Sequence, residues 1–215
     1  MLLHLLNHEI WFPPVTDALD DGLLAVGGDL STERLLLAYH SGIFPWFDGD
    51  IPMWFSPDPR FVLFPGDLKV SKSMKTLLKR DRFQFTFDKD FAAVISNCQT
   101  APREGQDGTW ITDDMMQAYI VLHNMGYAHS AEVWDGDELV GGLYGILLGK
   151  VFFGESMFSK VSNASKYAFI RWVELLQDRG VALIDCQVFT DHLSSLGAQM
   201  IHRSDFMQLI QALIP

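Results

Sequence analysis

Cysteine is almost absent from this chain of 215 residues: Cys98 and Cys186 are the only two. That is too few for a disulfide scaffold or a Cys-rich zinc site, and it suits a reducing compartment. Positive charge is scarce as well. Sixteen Lys and Arg stand against 27 Asp and Glu, a net charge of −11, which argues against a protein that coats nucleic acid indiscriminately but leaves room for a local basic patch. No apolar run reaches the ~20 residues of a membrane-spanning helix. The start, Met1-Leu2-Leu3-His4-Leu5-Leu6-Asn7-His8-Glu9, lacks a basic stretch and is broken by His, Asn and Glu, so no targeting segment is expected. Internal repeats, low-complexity stretches, a Walker loop, GxGxxG and HExxH are all missing. The seven His residues show no ligand spacing, so no metal is expected. These absences leave a soluble, cytoplasmic protein that does not meet the membrane.

What is present suffices for a real core: 48% of residues are hydrophobic and 13% aromatic, enough for one large domain or a small domain plus a medium one. The first sixty residues are rich in Pro, Gly and aromatics. Gly22 to Leu30 reads as a tight loop, followed by a short helix from Ser31 with Glu33 in its first turn and Gly42 as its stop. The aromatic blocks Gly42 to Phe47 and Trp54 to Arg60 serve either as a recognition surface or as cover for a small core. Further on, Phe83-Gln84-Phe85-Thr86-Phe87 alternates as a strand, and Thr112 caps a helix that ends at Gly126. Strands run from His129 to Trp134 and from Glu138 to Leu148, and a third, Lys150 to Phe153, runs into Gly154-Glu155-Ser156-Met157-Phe158. Gly141-Gly142-Leu143-Tyr144-Gly145 reads as part of a tightly packed hairpin. Asn163 caps a helix from Ala164 to Arg179, His192 to Leu196 is a short helix, and Ser204 caps the last one. This order predicts a mixed sheet with helices on both faces, an α+β fold.

Chemistry concentrates in Leu183-Ile184-Asp185-Cys186-Gln187-Val188, a short apolar strand with an acid inside it. Asp185 and Gln187 are two apart and are expected on one face of that strand, with Cys186 on the other. A buried carboxylate needs a partner, so the pair is either a satisfied core network or a site. Glu155 is the other polar group among large apolar residues: Phe152, Met157, Trp172 and Ile184. An apolar pocket with a few convergent polar groups is the usual form of a small-molecule site. Two carboxylates there can bind a cation, share a proton or receive a substrate amine. Six of the sixteen basic residues lie between Lys69 and Arg82, and Lys72, Lys75, Lys79 and Arg82 share one face of a predicted helix. That face either meets a polyanion or is simply solvated. The passage from Phe152 to Ala168 is similar to acyl-CoA-dependent acyltransferases, but the Gly-rich pyrophosphate signature is missing between Ser159 and Ser165, so CoA is not expected.

Taken in order, eight blocks resemble the bacterial leucyl/phenylalanyl-tRNA–protein transferases. They are Gly22 to Leu30, Gly42 to Phe47, Trp54 to Arg60, Gly108 to Thr112, Gly154 to Ser159, Asn163 to Lys166, Leu183 to Val188, and Asp191-His192 with Ser195 to Ala198. The resemblance implies transfer of Leu or Phe, and less well Met, from aminoacyl-tRNA to the N-terminal Arg or Lys of a protein, which marks it for degradation. It implies no cofactor, because the ester is already activated. It also implies a small N-terminal domain (1–61) and a GNAT-like mixed-sheet domain (62–215), acting as a monomer. Leu143, Phe152, Met157, Trp172 and Ile184 match positions lining the pocket for the amino-acid side chain; a well-known member carries Met and Phe where Leu143 and Trp172 stand. Trp110 and Tyr119 match positions near the terminal adenosine, and the Lys72, Lys75, Lys79 and Arg82 face suits acceptor-stem phosphates. Asp185, Gln187 and Glu155 are the expected catalytic group: Asp185 orients Gln187, which holds the incoming amine. A CoA-dependent N-acyltransferase and a non-enzymatic adaptor for N-terminal residues or tRNA remain as rivals.

Overall fold

The computed structural model describes residues 3–80, 82–101 and 111–215. The chain begins with β1 (His4–Leu6), β2 (Leu23–Gly27), α1 (Thr32–His40), β3 (Phe44–Pro45) and β4 (Met53–Phe55). Then come β5 (Arg60–Leu63), α2 (Lys72–Lys79), β6 (Gln84–Phe87), α3 (Phe91–Thr100), α4 (Asp113–Asn124), β7 (Ala128–Asp135), β8 (Glu138–Leu148) and β9 (Val151–Ser159). The last elements are α5 (Ala164–Asp178), β10 (Leu183–Gln187), α6 (Asp191–Ser195), β11 (Gln199–Ile201) and α7 (Arg203–Leu213).

Two sheets result. The four-stranded one has the order β1-β2-β4-β3 and the seven-stranded one β11-β5-β10-β9-β8-β7-β6. The larger sheet is antiparallel except for β9 and β10, which run parallel and are joined through α5, as a parallel pair requires. Both of its faces are covered, so β8 and β9 read as nearly continuous apolar runs. Successive residues feed opposite cores: Tyr144, Ile146 and Phe153 pack with α3, α4 and the N-terminal layer, while Leu143 and Phe152 pack with α5. Gly141 lets α5 approach β8, since a Cβ there would lie 2.6 Å from that of Ala164.

The mixed α+β architecture and most elements follow the expectation. Ser31 caps α1 by accepting from Arg34 N–H, and Thr112 caps α4 by accepting from Met115 N–H. Other expectations give way. Gly22 to Leu30 is a loop only at its ends: Leu23 to Gly27 pair with β1 and β4, and glycines at 22, 27 and 28 take the positive φ of the turns around that strand. β9 continues to Ser159, because its pairing with β8 carries on past Gly154 with a register shift between Tyr144 and Gly145. Asn163 sits in the left-handed region without a side-chain cap, and Ser159 Oγ accepts from Ser165 N–H instead. α7 begins after His202 rather than at Ser204. Helix α3 was unforeseen, although Asp90 caps it and Phe91, Val94, Ile95 and Cys98 bury one face at helical spacing.

The expected division at 61/62 falls inside β5, and all of β5 belongs to the seven-stranded sheet. The change of sheet therefore lies between Phe55 and Arg60. One apolar cluster runs through both sheets, from Leu24, Leu35 and Trp54 to Phe153, Phe206 and Ile210. The N-terminal layer is thus packed on the larger sheet rather than tethered to it.

Candidate active site

All five residues of β10 are buried between β9 and β5. Asp185 is fully buried and meets the equally buried Arg60 of β5. Nε donates to Oδ1 at 2.8 Å and Nη2 to Oδ2 at 2.6 Å, a bidentate pair. Arg60 is held in turn: its guanidinium lies 4.7 and 4.6 Å from the ring centres of Phe44 and Phe206, and Nη1 donates to Gly42 O. Arg60 therefore links β10, the N-terminal layer and α7.

Gln187 ends β10 in a left-handed conformation, φ 62°, where the pairing with β5 shifts register. Such a conformation costs a non-glycine residue of order 1–3 kcal/mol and persists only when its surroundings hold it. Here Asp185 Oδ1 accepts the Gln187 backbone N–H at 2.9 Å, and the side-chain Nε2 donates to Glu155 Oε1 at 3.0 Å. Strict alternation fails at this bulge. The two polar side chains do not converge on one partner: Asp185 faces Arg60 and Gln187 faces Glu155. The contact between Asp185 and Gln187 runs through the Gln187 backbone N–H.

Glu155 lies in the middle of β9. Tyr39 of α1 donates to Oε1 at 2.8 Å, Tyr119 of α4 donates to Oε2 at 3.0 Å, and the two hydroxyls also touch each other. Burial pushes the Glu155 carboxyl up to about 7. The charge of Asp185 pushes the same way, while the tyrosine hydroxyls and the Gln187 amide pull against it. Both tyrosine hydroxyls are raised well above their ordinary range, chiefly by burial and then by the Glu155 charge.

A cavity of about 790 Å³ opens beside this group. Four of the expected pocket residues, Leu143, Phe152, Met157 and Ile184, line it together with Glu155 and Gln187. Phe169 of α5 lines it as well and was missed. Trp172 does not reach it. Trp172 sits one helical turn further along α5, fully buried behind Phe152, with the two rings edge-on at 5.3 Å. Tyr119 is also displaced from its expected role. Its ring is fully buried against Tyr144 and has no open face for a base; its hydroxyl serves Glu155 instead. Trp110 lies outside the described residues. Cys186 borders the cavity, but burial raises its thiol far above the thiolate range, so it is inert as a nucleophile.

Lys72, Lys75 and Lys79 are exposed on α2, whose Met74 is buried on the other side. Arg82 is not on that face, because α2 ends at Lys79 with Arg80 as its C-cap; Arg82 reaches Asp135 at 3.4 Å on the surface. Arg60 and Tyr39 were not singled out from sequence. The only signals were an Arg at the edge of an apolar run and a Tyr on the buried face of α1 with Leu35 and Ala38. Among the described residues, no cluster of His, Cys, Asp and Glu is suited to a metal, and no helix is long and apolar enough to cross a membrane.

Residues 62–211 match the family model for leucyl/phenylalanyl-tRNA protein transferase, and residues 28–58 match the model for that family's N-terminal domain. A leucyl/phenylalanyl-tRNA–protein transferase of Pseudomonas fluorescens (strain Pf0-1) is 56% identical over 209 residues, 96% of this chain and 92% of that protein. One of Christiangramia forsetii is 54% identical over 211 residues, 97% of this chain and 100% of that protein. Among solved structures, L-PGS from Bacillus licheniformis is similar over 88% of this chain and 72% of its own, with a TM-score of 0.46 and 10% identity. A GCN5-related N-acetyltransferase from Kribbella flavida covers 82% and 63%, with a TM-score of 0.39 and 10% identity. Both structural likenesses are too loose to carry an argument. The sequence matches define a class: this chain is an enzyme, an aminoacyltransferase. It belongs to the leucyl/phenylalanyl-tRNA–protein transferase family.

Proposed function

We propose that the enzyme moves Leu or Phe, and Met less well, from aminoacyl-tRNA to the N-terminal Arg or Lys of acceptor proteins, and that the product is a degradation signal in the cytoplasm. The observation that carries this reading is an apolar cavity that ends on buried polar groups, Glu155 and Gln187. The aminoacyl side chain enters the apolar part, between Leu143, Phe152, Met157, Ile184 and Phe169. One methylene discriminates by only about 1–3 kcal/mol in such a pocket, which fits acceptance of Leu, Phe and Met alike. The ester is already activated, so the reaction needs the reactants placed, and placement can supply a large share of a rate. Gln187, fixed by Asp185 and Glu155, holds the incoming amine, and the acidic end of the cavity favours a cationic N-terminal residue. Lys72, Lys75 and Lys79 meet acceptor-stem phosphates, in a salt-dependent contact largely blind to base sequence. Trp110 stacks on the terminal adenosine, worth about 1–3 kcal/mol. Residues up to about Phe55 and those from Arg60 onward act as one body around the site.

The test is a transfer assay with Leu-, Phe- and Met-tRNA and a peptide beginning with Arg, beside one beginning with Asp. Label should pass to the Arg peptide. Binding of both partners without loss of the aminoacyl ester would overturn the reading in favour of an adaptor, and acetylation from acetyl-CoA would favour the other rival.

A further inference from the structure

Glu155, Tyr39 and Tyr119 close a triangle of hydrogen-bond contacts: Tyr39 to Oε1, Tyr119 to Oε2, and hydroxyl to hydroxyl. Each contact needs one proton, and each phenol carries one. With Glu155 ionised, two protons must serve three contacts. Both phenols then donate to the carboxylate, and lone pairs face each other across the third side. With Glu155 neutral, the count is three for three. Oε2–H donates to Tyr119, Tyr119 donates to Tyr39, and Tyr39 donates to Oε1, which also receives Gln187 Nε2–H. The triangle is a ready-made seat for one extra proton at the edge of the cavity.

We propose that Glu155 is the proton acceptor of the transfer reaction, with Tyr39 and Tyr119 as positioning residues that hold the proton it takes. The proposal rests on the transferase reading above. The acceptor N-terminus arrives as an ammonium and gives one proton to the Glu155 carboxylate, which closes the triangle. The freed nitrogen lone pair forms the C–N bond at the ester carbonyl carbon, and the C–O bond to the ribose breaks. The ribose oxygen keeps that electron pair and takes a second proton from the nitrogen, leaving an amide with one hydrogen. Glu155 then returns its proton to water. The step consumes one ester and one ammonium and yields an amide, a ribose hydroxyl and a proton.

The surroundings fit this role. Facing Glu155 are Tyr39 from α1, Tyr119 from α4 with Tyr144 of β8 behind it, and Gln187 and Asp185 from β10; the Asp185 charge is paired by Arg60 from β5. Among these described groups, no cation contacts Glu155 to hold it ionised. Its carboxyl stands at about 7, near the working pH that a general base requires. The tyrosine hydroxyls, raised well above their ordinary range, keep their protons throughout.

The decisive variant is Glu155→Gln. Its amide N–H donates where the acid O–H does, so the triangle keeps three protons for three contacts but cannot receive another. We expect unchanged tRNA affinity, a Tm at pH 8 no lower than wild type, and kcat for Phe transfer to an Arg peptide reduced about 100-fold. The peptide KM should move far less, and the acid limb of the kcat profile near pH 7 should vanish. Independently of activity, infrared difference spectra of the wild-type enzyme with 13C-labelled Glu should show a neutral carboxyl band that fades as pH rises through 7 and is missing in the variant. Wild-type kcat with an unaltered pH profile in Glu155→Gln overturns the proposal, as does absence of the carboxyl band. A lower kcat with the acid limb intact also overturns it, because that limb then belongs to another group. Failure of the wild-type enzyme to transfer any amino acid overturns instead the reading on which the proposal rests.

Discussion

Two buried acids stand on either side of Gln187, and the protein treats them oppositely. Asp185 receives a guanidinium, clamped between two aromatic rings and bound to the carboxylate through Nε and Nη2. Glu155 receives two phenols and an amide, and no cation touches it among the described residues. Burial alone disfavours charge in both places; the partner decides whether the charge survives. Beside Arg60, Asp185 is half of an ion pair that pins a strand. Beside the tyrosines, the Glu155 carboxyl is left near neutrality, able to change its charge at small cost. One acid builds the site and the other is free to act in it.

The largest break in this contrast should come from Arg60→Met. It strands a fully buried carboxylate, and losing one partner of such a pair costs about 3–5 kcal/mol. Urea unfolding should show that loss in the midpoint with little change in slope; a loss below about 1 kcal/mol would mean that the Asp185 carboxylate does not depend on the Arg60 charge.

Next in size is a pH effect from Glu155. Its folded value of about 7 lies above its ordinary 4.5, so the neutral form is favoured in the folded state. The associated stability is fully present below about pH 4.5 and is lost as pH rises to about 7, up to ~3 kcal/mol in all. Subtracting the unfolding free energies of Glu155→Gln from those of wild type across pH 4.5 to 8 isolates this loss. A flat difference would contradict the raised carboxyl.

Tyr39→Phe should cost less, about 1–2 kcal/mol, because it removes two buried contacts, to Glu155 and to the Tyr119 hydroxyl, without stranding a charge. Thermal unfolding at pH 6 reads it, and a cost equal to that of Arg60→Met would erase the distinction between the two acids. The smallest effect should be Arg82→Ala. Its pairing with Asp135 is exposed on both sides and should contribute under about 0.5 kcal/mol, near the error of a urea midpoint. A larger loss would show that surface pairs matter here as the buried one does.

Much of the architecture is legible in the chain. Ser31 and Thr112 announce helices because an N-cap is a local event, involving a side chain and a backbone N–H three residues on. The hairpin of β7 and β8 is legible from its turn at Asp135 to Asp137 and the apolar runs beside it. Other features depend on partners far along the chain. Leu23 to Gly27 looks like a loop until β1 and β4 pair with it. Arg82 shares a helical face with the lysines only while the helix is imagined to continue past Lys79. Trp172 has the hydrophobicity of a pocket residue, but the turn of α5 gives that place to Phe169 and leaves Trp172 behind Phe152. Tyr119 has the aromatic ring of a stacking platform, but the packing of α4 buries it and turns it into a hydrogen-bond donor.

The sequence by itself determined the kinds of parts: the ordered blocks that mark the family, the strands and most helices, and an acid and an amide at the end of an apolar strand. It could not assign their partners. Arg60 lies 125 residues before Asp185, and Tyr39 lies 116 before Glu155. No local rule links such pairs; only packing of the N-terminal layer against the seven-stranded sheet brings them within hydrogen-bond distance. The charge of a buried acid depends on the groups within a few ångströms of it. The division between an acid that holds and an acid that takes a proton was therefore decided by the tertiary structure.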